Sequence, residues 1–134
     1  MLFRSPERAA LQALARGLGV SDSVEWLGGL HPDQVPQALA DAHALVLPSR
    51  HETFGVVLAE ALMAGRPVLA TRCGGPEGVV GEDDGLLVPV EDVDALAAGL
   101  DALPSFAGEQ PARDRKSTRL NSSHSQQSRM PSSA

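Results

Sequence analysis

The chain has 134 residues, 11 basic against 17 acidic side chains for a formal charge of −6, three phenylalanines, one tryptophan and one cysteine. That length allows about one domain; the negative balance and scarce aromatics argue against a nucleic-acid partner, whether duplex or single strand. The lone Cys73 excludes an internal disulfide framework, and the lack of a bilayer-length apolar run or signal-peptide pattern gives the expectation of a cytoplasmic protein.

In chain order, Pro6 to Leu18 reads as a helix: Pro6 suits the first helical position, Glu7 favours the positive end of the dipole, and Ala10, Leu11, Leu14 and Leu18 recur at helical spacing before Gly17 and Gly19 stop it. Val24–Leu27 reads as a short strand closed by Gly28 and Gly29. A helix is expected from about Pro32 to Ala42, with Pro36 tolerable in its first turn. Ala44–Leu47 is a continuous apolar strand of the kind buried on both faces. A helix from Gly55 to Met63, a strand over Pro67–Thr71, a turn or short helix from Gly74 to Val80, a turn at Glu82–Gly85 and a strand over Leu86–Val88 follow. The last element is a helix from Val93 to Leu103 with Asp92 as its N-cap. Four strands alternating with helices through short connections predict an α/β, Rossmann-like domain with a mainly parallel sheet and flanking helices.

The two ends differ from this. Residues 6–113 hold six arginines, no lysine and sixteen acids, a net of −10, whereas residues 114–134 are serine-rich and basic with almost no apolar pattern. The run Asp114 to His124 is similar to the translation of a common short-read sequencing adapter, and Leu2–Ser5 to the close of its partner. The expected organisation is therefore adapter sequence at 1–5, a partial α/β domain at 6–103, a linker or the start of a missing C-terminal segment at 104–113, and a disordered adapter-derived tail at 114–134.

The chemistry concentrates after the strand at 44–47. Pro48–Phe54 forms a loop that carries Glu52 and leads into a helix carrying Glu60. Loop N–H groups and the positive helix end suit an anion such as a diphosphate, and Gly55 lets the backbone approach a ligand. The Glu52 carboxylate suits the vicinal hydroxyls of a sugar or ribose, and Glu60 lies further along the same groove. Downstream, Thr71–Glu77 repeats the logic: a strand ends, Gly74 and Gly75 free the backbone, and the acid Glu77 follows. Two such loops at neighbouring strand ends lie where open α/β sheets bind ligands.

These residues resemble the signature of retaining glycosyltransferases of the GT-B fold, family four of that class. Glu52 and Glu60 match its pair of glutamates after a Pro-Ser strand end, with Phe54 and Gly55 between them. Gly74-Gly75-Pro76-Glu77 approximates its Gly-Gly loop with the acid one position early, and Asp84–Val88 is similar to its Asp-Gly-x-Leu-Val segment. The resemblance covers about residues 6–103 and implies a truncated C-terminal half of the GT-B fold. It implies that Glu52, the candidate catalytic residue, contacts hydroxyls of the donor sugar. It implies further that the backbone of Thr53, Phe54 and Gly55 lies near the donor's sugar and diphosphate, that Glu60 binds the ribose, and that Gly74, Gly75 and Glu77 contribute to donor binding. The donor would be a nucleotide sugar, its glycosyl group passing with retention to an acceptor hydroxyl, without a cofactor or metal. The partner would be an absent N-terminal acceptor domain of the same enzyme, and peripheral membrane association of that enzyme is compatible with this. The basic pair that neutralises the diphosphate in the family lies upstream of this sequence, so the chain as it stands is expected to be catalytically inactive. Lacking partner strands, it is also expected to be marginally stable.

Other readings have less behind them. A GT-B-fold sugar-nucleotide epimerase would carry more catalytic acids and histidines. A non-catalytic nucleotide-binding module is the other alternative; a receiver among such modules would carry an acidic cluster at the end of its first strand and a late lysine. A dinucleotide-binding domain would carry a Gly-x-Gly-x-x-Gly turn. His31, His43 and His51 read as surface or structural residues and Cys73 as a small apolar one. Arg50 and Arg72 flank the two loops and could offset phosphate charge. No Cys/His cluster has metal-ligand spacing.

Overall fold

The computed structural model describes residues 6–107. The expected adapter segments 1–5 and 114–134, and most of the expected linker 104–113, lie outside the described residues. The chain divides into two units, Met1–Gln34 and Val35–Ala134.

The first unit holds helix α1, Pro6–Gly17, and two single 3-10 turns, Ser21–Ser23 and Pro32–Gln34. Helix α1 ends as its glycines require: Gly19 takes φ 72, and the N–H groups of Gly19 and Val20 return to the carbonyls of Arg16 and Ala15 at 3.1 and 3.0 Å. Val24–Leu27 is irregular, not the expected strand. An apolar four-residue run becomes a strand only with a hydrogen-bonding neighbour, and none of the described strands pairs with it.

The second unit holds helix α2 (Val35–Asp41), strand β1 (Leu45–Leu47), helix α3 (Val56–Met63), strand β2 (Val68–Thr71), a 3-10 turn at Pro76–Gly78, strand β3 (Gly85–Val88) and helix α4 (Val93–Ala107). The strands form one parallel sheet in the order β1-β2-β3, in register Leu45–Val68 and Val68–Gly85. Among the described residues three strands thus replace the expected four, and the sheet with helices on both faces is the α/β, Rossmann-like architecture the alternation of elements predicts.

The two faces follow from the strand period of two. Val68 and Ala70 pack with Leu39 of α2 and Leu58 and Ala61 of α3 on one side. Leu69, one residue out of phase, packs with Val88, Leu103 and Leu96 under α4 on the other. Strand β2 is buried along its whole length. Strand β1 departs from the expectation of burial on both faces: Leu45 and Leu47 are half-buried and Val46 is 36% exposed, because β1 has β2 on one side only among the described residues.

Helix α4 begins as expected, with the Asp92 carboxylate accepting the Ala95 N–H at 2.9 Å. It runs past Leu103 to Ala107 with Pro104 inside it. Proline removes one intrahelical donor, and here the loss falls near the C-terminal end, where the Ser105 hydroxyl donates to the Ala102 carbonyl at 2.7 Å. At the other end of the sheet, Arg66 is 5% exposed. Its Nη2 and Nε donate to the carbonyls of Ala40 and Leu39 at 2.6 and 3.3 Å, a cation closing the C-terminal turn of α2. Among the described residues no helix is long and apolar enough to cross a membrane.

Candidate functional site

Three connections meet the carboxyl ends of the parallel strands: Pro48–Gly55 after β1, Arg72–Gly78 after β2, and Pro89–Asp92 after β3. In a parallel sheet these ends lie on one edge, so loops far apart in sequence become neighbours.

The first two loops are fixed to each other through backbone. Glu52 forms an isolated parallel bridge with Gly74, and the Gly75 N–H donates to the Glu52 carbonyl at 2.7 Å. The contact needs a glycine. A Cβ on Gly75 would lie 2.6 Å from the Glu52 oxygen, 2.7 Å from the Phe54 nitrogen and 2.7 Å from the Thr53 carbonyl carbon, all backbone atoms that cannot swing aside. The start of the first loop is held as well: the Thr71 hydroxyl, 1% exposed, donates to the carbonyl of Ser49. This tie had one sequence signal, a threonine closing an otherwise apolar strand.

The structure therefore brings together Glu52, Thr53, Phe54, Gly74 and Gly75. Glu52 is half-buried and Thr53 exposed, and Phe54 is 50% exposed. Gly55 is the N-cap of α3, with φ 80 and ψ 60 and no side-chain cap bond. A Cβ there would be strained by the left-handed backbone and would meet Leu58 Cδ1 at 2.9 Å. Glu60 is half-buried in the second turn of α3, placed by the helix the loop leads into. Glu77 is exposed, and its carboxylate turns back to accept the Gly74 N–H at 3.1 and 3.3 Å, so it shapes the loop that carries it.

The third loop enters through charge. Arg50 Nε lies 2.7 Å from Glu91 Oε1, both side chains well exposed; neither local propensity nor spacing signals this tie. Arg72 is exposed at the end of β2, its N–H donating to the Val88 carbonyl at 2.8 Å. Cys73 is half-buried and His51 exposed. His31 lies in the first unit, where its ring hydrogen-bonds Asp33 and, with the backbone, holds that carboxyl below the usual carboxylate range. Among the described residues no group of three or more His, Cys, Asp or Glu side chains could hold a metal ion.

Chemically, the edge offers a half-buried carboxylate for hydroxyl groups, a glycine-bearing backbone open to close approach, the unblocked N-terminus of an eight-residue helix, and two exposed guanidinium groups. The family model described as glycosyl transferases group 1 matches residues 4–118. D-inositol 3-phosphate glycosyltransferase of Corynebacterium urealyticum is 40% identical over 96 residues, which are 71% of this chain and 23% of that protein. MMP alpha-(1->4)-mannosyltransferase of Mycolicibacterium hassiacum is 37% identical over 94 residues, 69% of this chain and 23% of that protein. Among solved structures, sucrose-phosphate synthase of Thermosynechococcus elongatus superposes with a TM-score of 0.68 at 32% identity, covering 88% of this chain and 31% of that one. The apo lipopolysaccharide outer core galactosyltransferase WaaB, at 23% identity, shares the fold with a TM-score of 0.64. The chain thus spans under a quarter of the length of these two sequence relatives.

Proposed function

Because the chain belongs to the glycosyl transferases group 1 family, we propose that it is the donor-binding part of a glycosyltransferase that moves a sugar from a nucleotide sugar to an acceptor hydroxyl with retention of configuration. In this reaction the bond from the anomeric carbon to the diphosphate oxygen breaks, a bond to the acceptor oxygen forms on the same face, and the nucleoside diphosphate leaves while the acceptor's hydroxyl proton passes to it or to solvent. The acceptor would be held by a further domain of a longer protein, in the cytoplasm, and transfer would need neither metal nor cofactor.

The observation that supports this best is the junction of the two loops, where the Gly75 N–H fixes the Glu52 carbonyl at 2.7 Å. A residue held through its own main chain has its Cα fixed at the sheet's carboxyl end, which limits the region its carboxylate can sweep and lowers the ordering cost of sugar recognition. In the proposed arrangement Glu52 accepts hydrogen bonds from sugar hydroxyls. The backbone of Thr53, Phe54 and Gly55 lies along the sugar and diphosphate, and Glu60 accepts from the ribose. The Gly74-Gly75 turn forms the opposite wall, shaped by Glu77.

Saturation-transfer NMR of the full chain with UDP-glucose, GDP-glucose and ADP-glucose tests this. One donor should show transfer to both ribose and hexose protons, and Glu52→Gln should lose the hexose signal while keeping the ribose signal. If no donor shows transfer, or if Glu52→Gln behaves as wild type, the assignment is wrong.

A further inference from the structure

We propose that Thr71 is a positioning residue for the donor's sugar: itself buried, it sets where the loop carrying Glu52 leaves the sheet, a role that rests on the donor-binding function above. Strand β2 is otherwise apolar, and its Val68, Leu69 and Ala70 are fully buried. Thr71 closes the strand at 1% exposure. A valine would fill the same space without carrying a hydroxyl inside, where a polar group lacking a partner is costly. The hydroxyl has its partner: it donates to the carbonyl of Ser49, 22 residues earlier, in the first loop. Cys73 Sγ stands 3.7 Å from the same oxygen, but sulfur is a weak acceptor and does not displace a carbonyl.

The tie begins where the ladder ends. Pairing of β1 with β2 stops at Leu47 and Ala70, and the next residue of the first chain segment, Pro48, has no N–H to extend it. On its other side Thr71 stays paired with Val88 of β3. Its backbone is thus held by β3 while its side chain holds the first loop.

The same strand end supplies the second tie, the Gly75 N–H on the Glu52 carbonyl at 2.7 Å. Ser49 and Glu52 are therefore both fastened to the run Thr71–Gly75, with Arg50 and His51 between them. With Ser49 released, the loop is held from one end only and pivots there, and the Glu52 carboxylate loses its fixed approach to the sugar. Glu60 lies beyond that pivot, on helix α3, so contacts to the nucleotide are spared.

Two readouts on the full chain test this. The variants are Thr71→Val and Thr71→Ala, which lose the hydroxyl, and Thr71→Ser, which keeps it. The first readout is amide hydrogen exchange, with the Arg72 N–H, bonded to the Val88 carbonyl at 2.8 Å, as the reference on the β3 side. In Thr71→Val and Thr71→Ala, exchange at Gly75 should accelerate about fivefold more than at Arg72, the size one neutral hydrogen bond supports. Thr71→Ser should match wild type at both. Equal acceleration of the two amides means that Thr71 only stabilises the fold, and an unchanged Gly75 rate means that it does not hold the loop; either overturns the proposal. The second readout is NMR titration with UDP-glucose, GDP-glucose and ADP-glucose and with UDP, GDP and ADP. For the donor that wild type binds, Thr71→Val should weaken the nucleotide sugar about fivefold and the matching nucleoside diphosphate by less than about twofold, with Thr71→Ser as wild type. Placed in Glu52→Gln, Thr71→Val should cost nothing further, because the two act through one group. A loss shared equally by nucleotide sugar and diphosphate, or one that persists undiminished in Glu52→Gln, refutes the positioning of Glu52 while the donor-binding function stands. If wild type binds no nucleotide sugar, the donor-binding function fails and this role fails with it.

Discussion

Replacing Gly75 by alanine isolates the contact on which the candidate site depends. Gly75 has an ordinary φ of −72, so alanine adds no backbone strain and acts through space alone. Its Cβ would lie 2.6 to 2.7 Å from three main-chain atoms of residues 52–54, which can be relieved only by moving one loop off the other. Overpacking of this kind costs about 1–3 kcal/mol, and loss of the Gly75 N–H bond to Glu52 adds about 1 kcal/mol. The stiffer unfolded chain returns about 0.5 kcal/mol, leaving a net destabilisation of roughly 1.5–3.5 kcal/mol. Gly78, three residues on, is the control: nothing lies within 4 Å of its Cβ position, so Gly78→Ala should be neutral or stabilise by about 0.5 kcal/mol. In urea denaturation of the full chain, Gly75→Ala should lower the midpoint by about 1 M or more relative to Gly78→Ala. Coincident midpoints would refute the claim that the two loops are locked through this glycine.

Three further outcomes follow from the same contacts. Arg66→Met leaves the carbonyls of Leu39 and Ala40 without their guanidinium donor, and urea denaturation should show a loss of about 2–4 kcal/mol; a loss under about 1 kcal/mol would show that α2 closes without it. Asp92→Ala removes the N-cap of α4 and should cost about 1 kcal/mol by the same assay, whereas Asp92→Asn should restore most of it. The Asp33 carboxyl, lowered from 3.8 by its hydrogen bond to His31 and by the backbone, gives stability that is complete above that pH and lost as pH falls through its folded value. A carbon-13 titration should place its midpoint below 3.8, and a midpoint at or above that value contradicts the bond.

Elements with a local cause were legible in the sequence. The apolar runs of β1, β2 and β3, the glycine stop of α1, the glycine start of α3 and the Asp92 cap all act over a few residues, and the structure has each of them. Elements that depend on a distant partner were not. Val24–Leu27 has strand composition, yet Val24 and Leu27 are 38% and 57% exposed and no described strand pairs with them. Burial of β1 was overestimated because apolar composition does not say which strand stands at an edge. In the site, the two glutamates and the two glycines were visible as types and spacings. The bonds that hold them, Thr71 to Ser49 and Gly75 to Glu52, span over twenty residues, and the Arg50–Glu91 pair spans forty-one. Arg66 had no signal at all: an arginine beside a glycine reads as surface until two helix carbonyls are found waiting for it.

The bridge between Glu52 and Gly74 also acts as a ruler. The ladder of β1 and β2 closes at Leu47 and Ala70 and touches again at Glu52 and Gly74, with four residues between the two pairings on the β1 side and three on the β2 side. The surplus residue falls within Pro48–His51. Adding or deleting one residue there would set His51 or Thr53 opposite Gly74 and carry the carboxylate out of the notch, since a one-residue slip in paired backbone reverses the side each side chain takes. The segment is free in spelling and fixed in length. Variation among proteins built this way should therefore appear as exchange of side chains at positions such as His51, with changes of length displaced to turns such as Gly81–Asp84, which closes on itself through the Gly81 N–H and the Asp84 carboxylate.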